Sequence, residues 1–107
     1  VGYSVPNLRF SLRWAPQPPE VLAYLRHRAE ADLKALNHFL SSSEYLLASG
    51  PTIADISCSA YLFWGSQAGL SEADHPHVQR WLEALRHLPG WQHPDEALKP
   101  EAARGAA

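Results

Sequence analysis

The sequence predicts an all-α fold, a single bundle of helices. Three observations predict it. Most of the chain carries apolar residues at spacings of three and four, the helical period. Gly69 and the Pro89-Gly90 pair break that pattern into lengths typical of globular helices. The single alternating stretch, Leu8, Phe10, Leu12 and Trp14, has no second strand to pair with, and one isolated strand is not stable.

Val1 to Ala15 is therefore read as a short helix starting near Pro6. From Pro19 to Leu40, Leu22, Leu25, Ala29, Leu33, Leu36 and Leu40 form one stripe, while Arg26, Arg28, Glu30 and Lys34 fall elsewhere. Pro18 and Pro19 suit the first turn, where a missing N–H costs little. Ser41-Ser42-Ser43 ends this helix, and the connector from Glu44 to Pro51 brings Tyr45, Leu46 and Leu47 under the domain.

The next helix runs from about Ile53 to Gln67 and is apolar nearly all round, with Ile53, Ile56, Cys58, Ala60, Tyr61, Leu62, Phe63 and Trp64. Such a helix is expected to be enclosed by others. A polar stretch, Ser71 to His75, leads to a last helix from about Pro76 to Leu88, with Val78, Trp81, Leu82, Leu85 and Leu88 on its inner stripe. The expected organisation is one helical domain over residues 1–98 and a disordered tail over 99–107, where no apolar side chain exceeds Ala.

The length of 107 residues and a hydrophobic fraction of 46% support one modest core. A net charge of -2, with 9 Lys and Arg spread along the chain, gives no electrostatic case for nucleic acid or an anionic membrane. No membrane span is expected. The lone Cys58 cannot form an internal disulfide, which suits a reducing compartment and a cytoplasmic location.

The segment SGPTIADIS opens the central helix with a constructed start. Thr52 has the N-cap position, its hydroxyl expected to accept from the Asp55 N–H, and Asp55 is placed to accept from the Thr52 N–H, a capping box. Pro51 and Ile56 have the spacing of a hydrophobic staple. A nucleophile and its partner would be the functional alternative, but no His is tied to the pair by sequence, and this spacing before an apolar run is a common helix start. On this reading Asp55→Ala damages the fold alone, and Asp55→Asn costs less.

The segment PTIADISCSAYLFWG resembles the capped central helix of the glutathione transferase C-terminal domain. HPHVQRWLEALRHLPGW resembles the family's next helix, and EVLAYLRHRAEADLKALNHFLSSSEYLLASG the long preceding helix and its Tyr-Leu connector. YSVPNLRFSLRWA is similar to the second half of the helix that opens that domain. The resemblance implies a helical bundle of the glutathione transferase C-terminal domain type, with glutathione as co-substrate of the parent family and no cofactor in this chain.

In that family a thioredoxin-like front domain activates the glutathione thiol. No βαβ pattern of that kind occurs in this sequence, so no catalytic residue is expected here and the chain alone is expected to be inactive. The resemblance implies that the opening helix and the end of the central helix wall the electrophile pocket, which makes Tyr3, Asn7, Phe10 and Trp64 the candidate substrate-binding residues; Thr52, Asp55 and Ile56 are structural. It also implies a homodimer or weak self-association, with Leu8, Leu12 and Trp14 uncovered, and a missing N-terminal domain or other protein as partner. The alternative is a non-enzymatic protein-interaction module on the same helices.

Two further residue types are weighed as sites. Cys58, inside the central helix, is expected to be a buried structural thiol and not a reactive one. Among the six His, His75 and His77 flank Pro76 and His93 precedes Pro94, but no pair has helical i, i+4 spacing with an acidic partner. They read as surface and loop residues, and no metal site is expected.

Overall fold

A computed structural model describes residues 1–99. Five α-helices occur among them and no strand: α1 (Ser4–Arg13), α2 (Pro19–Leu40), α3 (Ile53–Ser59), α4 (Pro76–Arg86) and α5 (Pro94–Ala97). A 3-10 segment, Ala60–Ala68, continues directly from α3, and a single 3-10 turn, Glu72–Asp74, precedes α4. No helix among the described residues is long and apolar enough to cross a membrane. The tail assigned to 99–107 lies, apart from Lys99, outside the described residues.

The alternating stretch is helical, and α1 begins at Ser4, ahead of Pro6. Ser4, Val5, Leu8 and Ser11 form its buried stripe. Leu8 is therefore enclosed and does not join the uncovered residues, whereas Leu12 and Trp14 do. The two buried serines keep the inner face of α1 narrow, and Ser4 Oγ donates to Asp32 Oδ2 of α2 at 2.7 Å. α2 buries Leu25, Ala29, Leu33 and Leu40, with Leu22 and Leu36 packed beside them. α4 supplies Val78, Trp81, Leu82 and Leu85, and the Trp81 ring is wholly enclosed. Burying a side chain of this size is worth roughly 1.5–3 kcal/mol.

α2 and α4 also complete each other's ends. α4 has no side-chain cap of its own. Asn37 of α2 substitutes: its Oδ1 accepts from the backbone N–H of His77 at 2.8 Å and of Val78 at 3.1 Å. In return Arg80 of α4 donates to the carbonyls of Leu40 at 3.1 Å and Ser43 at 3.0 Å, where α2 has run out of its own donors.

The central helix departs from the sequence reading. It is one α-helix only as far as Ser59, then narrows to the 3-10 segment, which bends at Trp64. It is not enclosed either: Ile53 is 84% exposed, Ile56 47% and Tyr61 43%, and Cys58 is exposed rather than buried. The physical reason is a shortage of neighbours. This segment packs on α1 and α4 from one side, and nothing in residues 1–99 covers the other. Gly69 ends the segment with φ +73, and the Arg26 guanidinium lies so close that a Cβ would meet Nη1 at 3.0 Å. The left-handed φ favours glycine, and any side chain here would also have to displace the end of Arg26.

Candidate functional site

The helix start at Thr52 proves to be the centre of a buried hydrogen-bond hub. The Thr52 hydroxyl accepts from the Ala54 N–H at 3.2 Å, and the Thr52 N–H donates to Asp55 Oδ2 at 2.9 Å. Asp55 is completely buried. Its other oxygen, Oδ1, accepts from the Leu46 N–H at 3.0 Å and from the Trp81 indole N–H at 2.8 Å. One carboxylate thus joins the connector, the start of α3 and the centre of α4. Burial is the largest single influence on it and favours the neutral acid. The hydrogen bonds from Leu46, Trp81 and Thr52 together outweigh burial and hold the carboxyl below its ordinary value. Both carboxylate oxygens accept from N–H donors inside the fold, the pattern of a buried helix cap. Ile56, one residue on, is too exposed to bury a staple against Pro51, which is exposed itself.

The candidate binding residues divide into two groups. Tyr3, Asn7 and Phe10 lie on the outer face of α1 with Trp14, and Tyr3, Phe10 and Trp14 are each more than half exposed. The Asn7 amide is turned back on its own helix, donating to the Tyr3 carbonyl at 2.6 Å. The Phe10 and Trp14 rings meet at a tilt, with centroids 5.7 Å apart. Trp64 joins this face through Arg9, whose guanidinium lies 4.9 Å from the Trp14 centroid and 4.1 Å from that of Trp64. Arg9 Nε is held in place by Gln67 Oε1 at 2.7 Å. Such cation–π pairs contribute about 0.5–1 kcal/mol each where exposed. Tyr3 stands apart at the other end of α1, near Arg28.

Beyond Trp64 the ring system continues. The Trp64 indole N–H donates to Asp95 Oδ1 at 2.9 Å, and the His93 ring stands edge-on to Trp64 and Trp91. The links of Arg9 and Asp95 to Trp64 escaped the sequence reading, and His93 was read only as a loop residue, because Arg9 and Asp95 lie far along the chain from that ring. No periodic pattern spans such a gap.

A cavity of about 530 Å³ opens elsewhere, between α2, the 3-10 segment and α4. Leu33, Leu62, Leu70, Val78 and Leu82 make its floor, and Ser66, Glu72, His75 and Gln79 its polar rim. None of Tyr3, Asn7, Phe10 or Trp64 borders it. His75, read as a surface residue, is buried here and faces Glu30 Oε2 at 3.6 Å. No group of three or more metal-ligating side chains occurs among the described residues.

A protein-family model described as "Glutathione S-transferase, C-terminal domain" matches residues 5–89, most of the chain. No curated protein and no solved structure matches it.

Proposed function

Starting from the fact that this chain belongs to the glutathione S-transferase C-terminal domain family, we propose that it is the helical half of a cytoplasmic glutathione-transferase-like protein. Its part in the reaction is to bind and orient the electrophile. The outer face of α1, with Phe10 and Trp14, and the Arg9-linked ring of Trp64 form the apolar wall; Tyr3 and Asn7 extend it along the helix. Glutathione is the co-substrate of the assembled protein, and activation of its thiol falls to a thioredoxin-like partner domain. α1 and α2 also provide dimer contacts.

The observation that carries this reading is the pattern of uncovered apolar surface. Tyr3, Phe10 and Trp14 are exposed on α1 by 56%, 54% and 55%, and Ile53 at the start of α3 by 84%. Phe10 and Trp14, in ring contact on one face of α1, make exposed apolar surface of the kind that marks a binding or partner face. Aromatic walls suit electrophiles with flat apolar bodies, because ring faces stack at little entropic cost.

Titration with chlorodinitrobenzene, followed by tryptophan fluorescence, tests the wall. Saturable quenching is expected, weakened by Phe10→Ala and by Trp64→Phe. Quenching that is unchanged in both variants overturns the assignment. With glutathione added, the chain alone is expected to give no conjugation rate above the uncatalysed one. A protein-dependent rate contradicts the division of labour.

A further inference from the structure

The cavity between α2, the 3-10 segment and α4 is separate from the α1 face and has no part in the reading above. From its lining we infer that it is a binding site for a small uncharged molecule with an apolar body and one hydrogen-bonding head.

The size comes first. About 530 Å³ lies within the range of cavities that enclose small organic ligands. The floor is firm, because Val78 and Leu82 belong to the fully enclosed core and Leu33 and Leu62 are 3% and 5% exposed. A flat apolar body placed there would meet side chains already fixed by packing on three elements.

The charge of the ligand follows from the pairing of the rim. Glu72 is held by Arg86, whose Nη2 lies 3.1 and 3.2 Å from its two oxygens. His75 faces Glu30 at 3.6 Å. Arg26, across Gly69, directs Nη1 to the Gly69 carbonyl at 3.4 Å. Glu72, the one carboxylate of the lining, is thus already paired, and no Lys or Arg lines the cavity, so an ionic ligand would be desolvated with no free group of opposite charge in the lining to meet it. Two neutral groups remain. The Ser66 hydroxyl and the Gln79 carboxamide border the cavity and have no hydrogen-bond partner among the described residues. Between them they can both donate to and accept from a hydroxyl, carbonyl or amide.

Three indoles with the same ring and different charge separate the possibilities: tryptophol is neutral, tryptamine is a cation and indoleacetate an anion. Each is titrated into the full chain, with backbone amide resonances recorded. Tryptophol is expected to shift the amides of Gly65, Gly69, Leu70 and Glu72, and to bind at least about five-fold more tightly than either ion. Gln79 is exposed on α4, so Gln79→Ala keeps the fold; it should weaken tryptophol several-fold while the α1 amides stay unmoved. Ser66→Leu, at another exposed position, should fill the mouth and abolish the shifts. Three results would overturn the inference. These are shifts confined to Tyr3, Phe10, Trp14 and Trp64, equal affinity for an ion, and no saturation at millimolar tryptophol with a folded spectrum.

Discussion

The Trp81 indole N–H donates to Asp55 Oδ1 at 2.8 Å, a buried bond between the middle of α4 and the start of α3. The same oxygen accepts from Leu46, and Oδ2 serves Thr52, so removal of one carboxylate strands donors on three segments. Asp55→Ala should cost about 3 kcal/mol or more, since each buried donor left unpaired costs about 1–3 kcal/mol. In a domain of this size that is a large share of the whole margin of stability.

Asp55→Asn should be nearly as damaging as Asp55→Ala, not the milder change that spacing alone predicts. Both carboxylate oxygens accept from N–H donors. An amide supplies one acceptor and turns its NH2 towards a donor, whichever way it is oriented. Urea denaturation of the two variants beside the wild type checks this. An Asn variant that unfolds at the wild-type midpoint would contradict the geometry.

The same hub sets a pH dependence. The Asp55 carboxyl is held below its ordinary value, so the unfolded chain binds its proton more readily than the folded one. Its contribution to stability is complete above about pH 5 and falls as pH drops through the usual carboxylate value of about 3.9 towards the folded one. Asp32, facing Ser4 and Arg28, is also held low and adds to the same acid loss. Denaturant midpoints between neutral and acid pH should fall steeply for the wild type and less steeply for Asp55→Ala.

Asn37→Ala should destabilise the start of α4 by about 1–2 kcal/mol, the cost of losing an N-cap acceptor. Asn37→Asp should retain most of the stability, because a carboxylate accepts the same two N–H bonds and faces the positive end of the helix. Equal midpoints for Asn37→Ala and wild type would show that water replaces the side chain without loss.

Much of this organisation was legible in sequence. The α2 stripe from Leu25 to Leu40 follows from period alone, and Pro19 places its first turn. Thr52 and Asp55 lie three positions apart, within reach of local reasoning. The partners that complete the hub are not, because Trp81 is 26 residues from Asp55 and only the packing of α4 on α3 joins them. Asn37 caps a helix 40 residues away for the same reason. The burial of Ile53, Ile56 and Cys58 was misjudged on a different ground. Apolar character on all sides says that a segment is suited to be covered, and says nothing of whether the cover lies in this stretch of chain. On the candidate wall, the outer face of α1 follows from helical spacing, while the Arg9 link to Trp64 depends on tertiary packing.

The exposed face should also make the chain self-associate. Leu12, Phe10 and Trp14 on α1 lie open to solvent together, and surface of this kind favours a second copy when no other partner is present. Sedimentation should give a mass that rises with concentration above the micromolar range, and Phe10→Ser with Trp14→Ser should return it to the monomer. A constant monomer mass for the wild type would count against α1 as a contact face.

The four Trp indole N–H resonances provide the most direct test of the electrophile wall. Together they report three places: Trp14 and Trp64 on the α1 face, Trp81 locked to Asp55 in the core, and Trp91 behind Phe63. Titration with chlorodinitrobenzene should move the Trp14 and Trp64 signals with one shared affinity and leave Trp81 where it stands. Movement of Trp91 alone, or no movement at Trp14 and Trp64 at saturating ligand, would contradict the account.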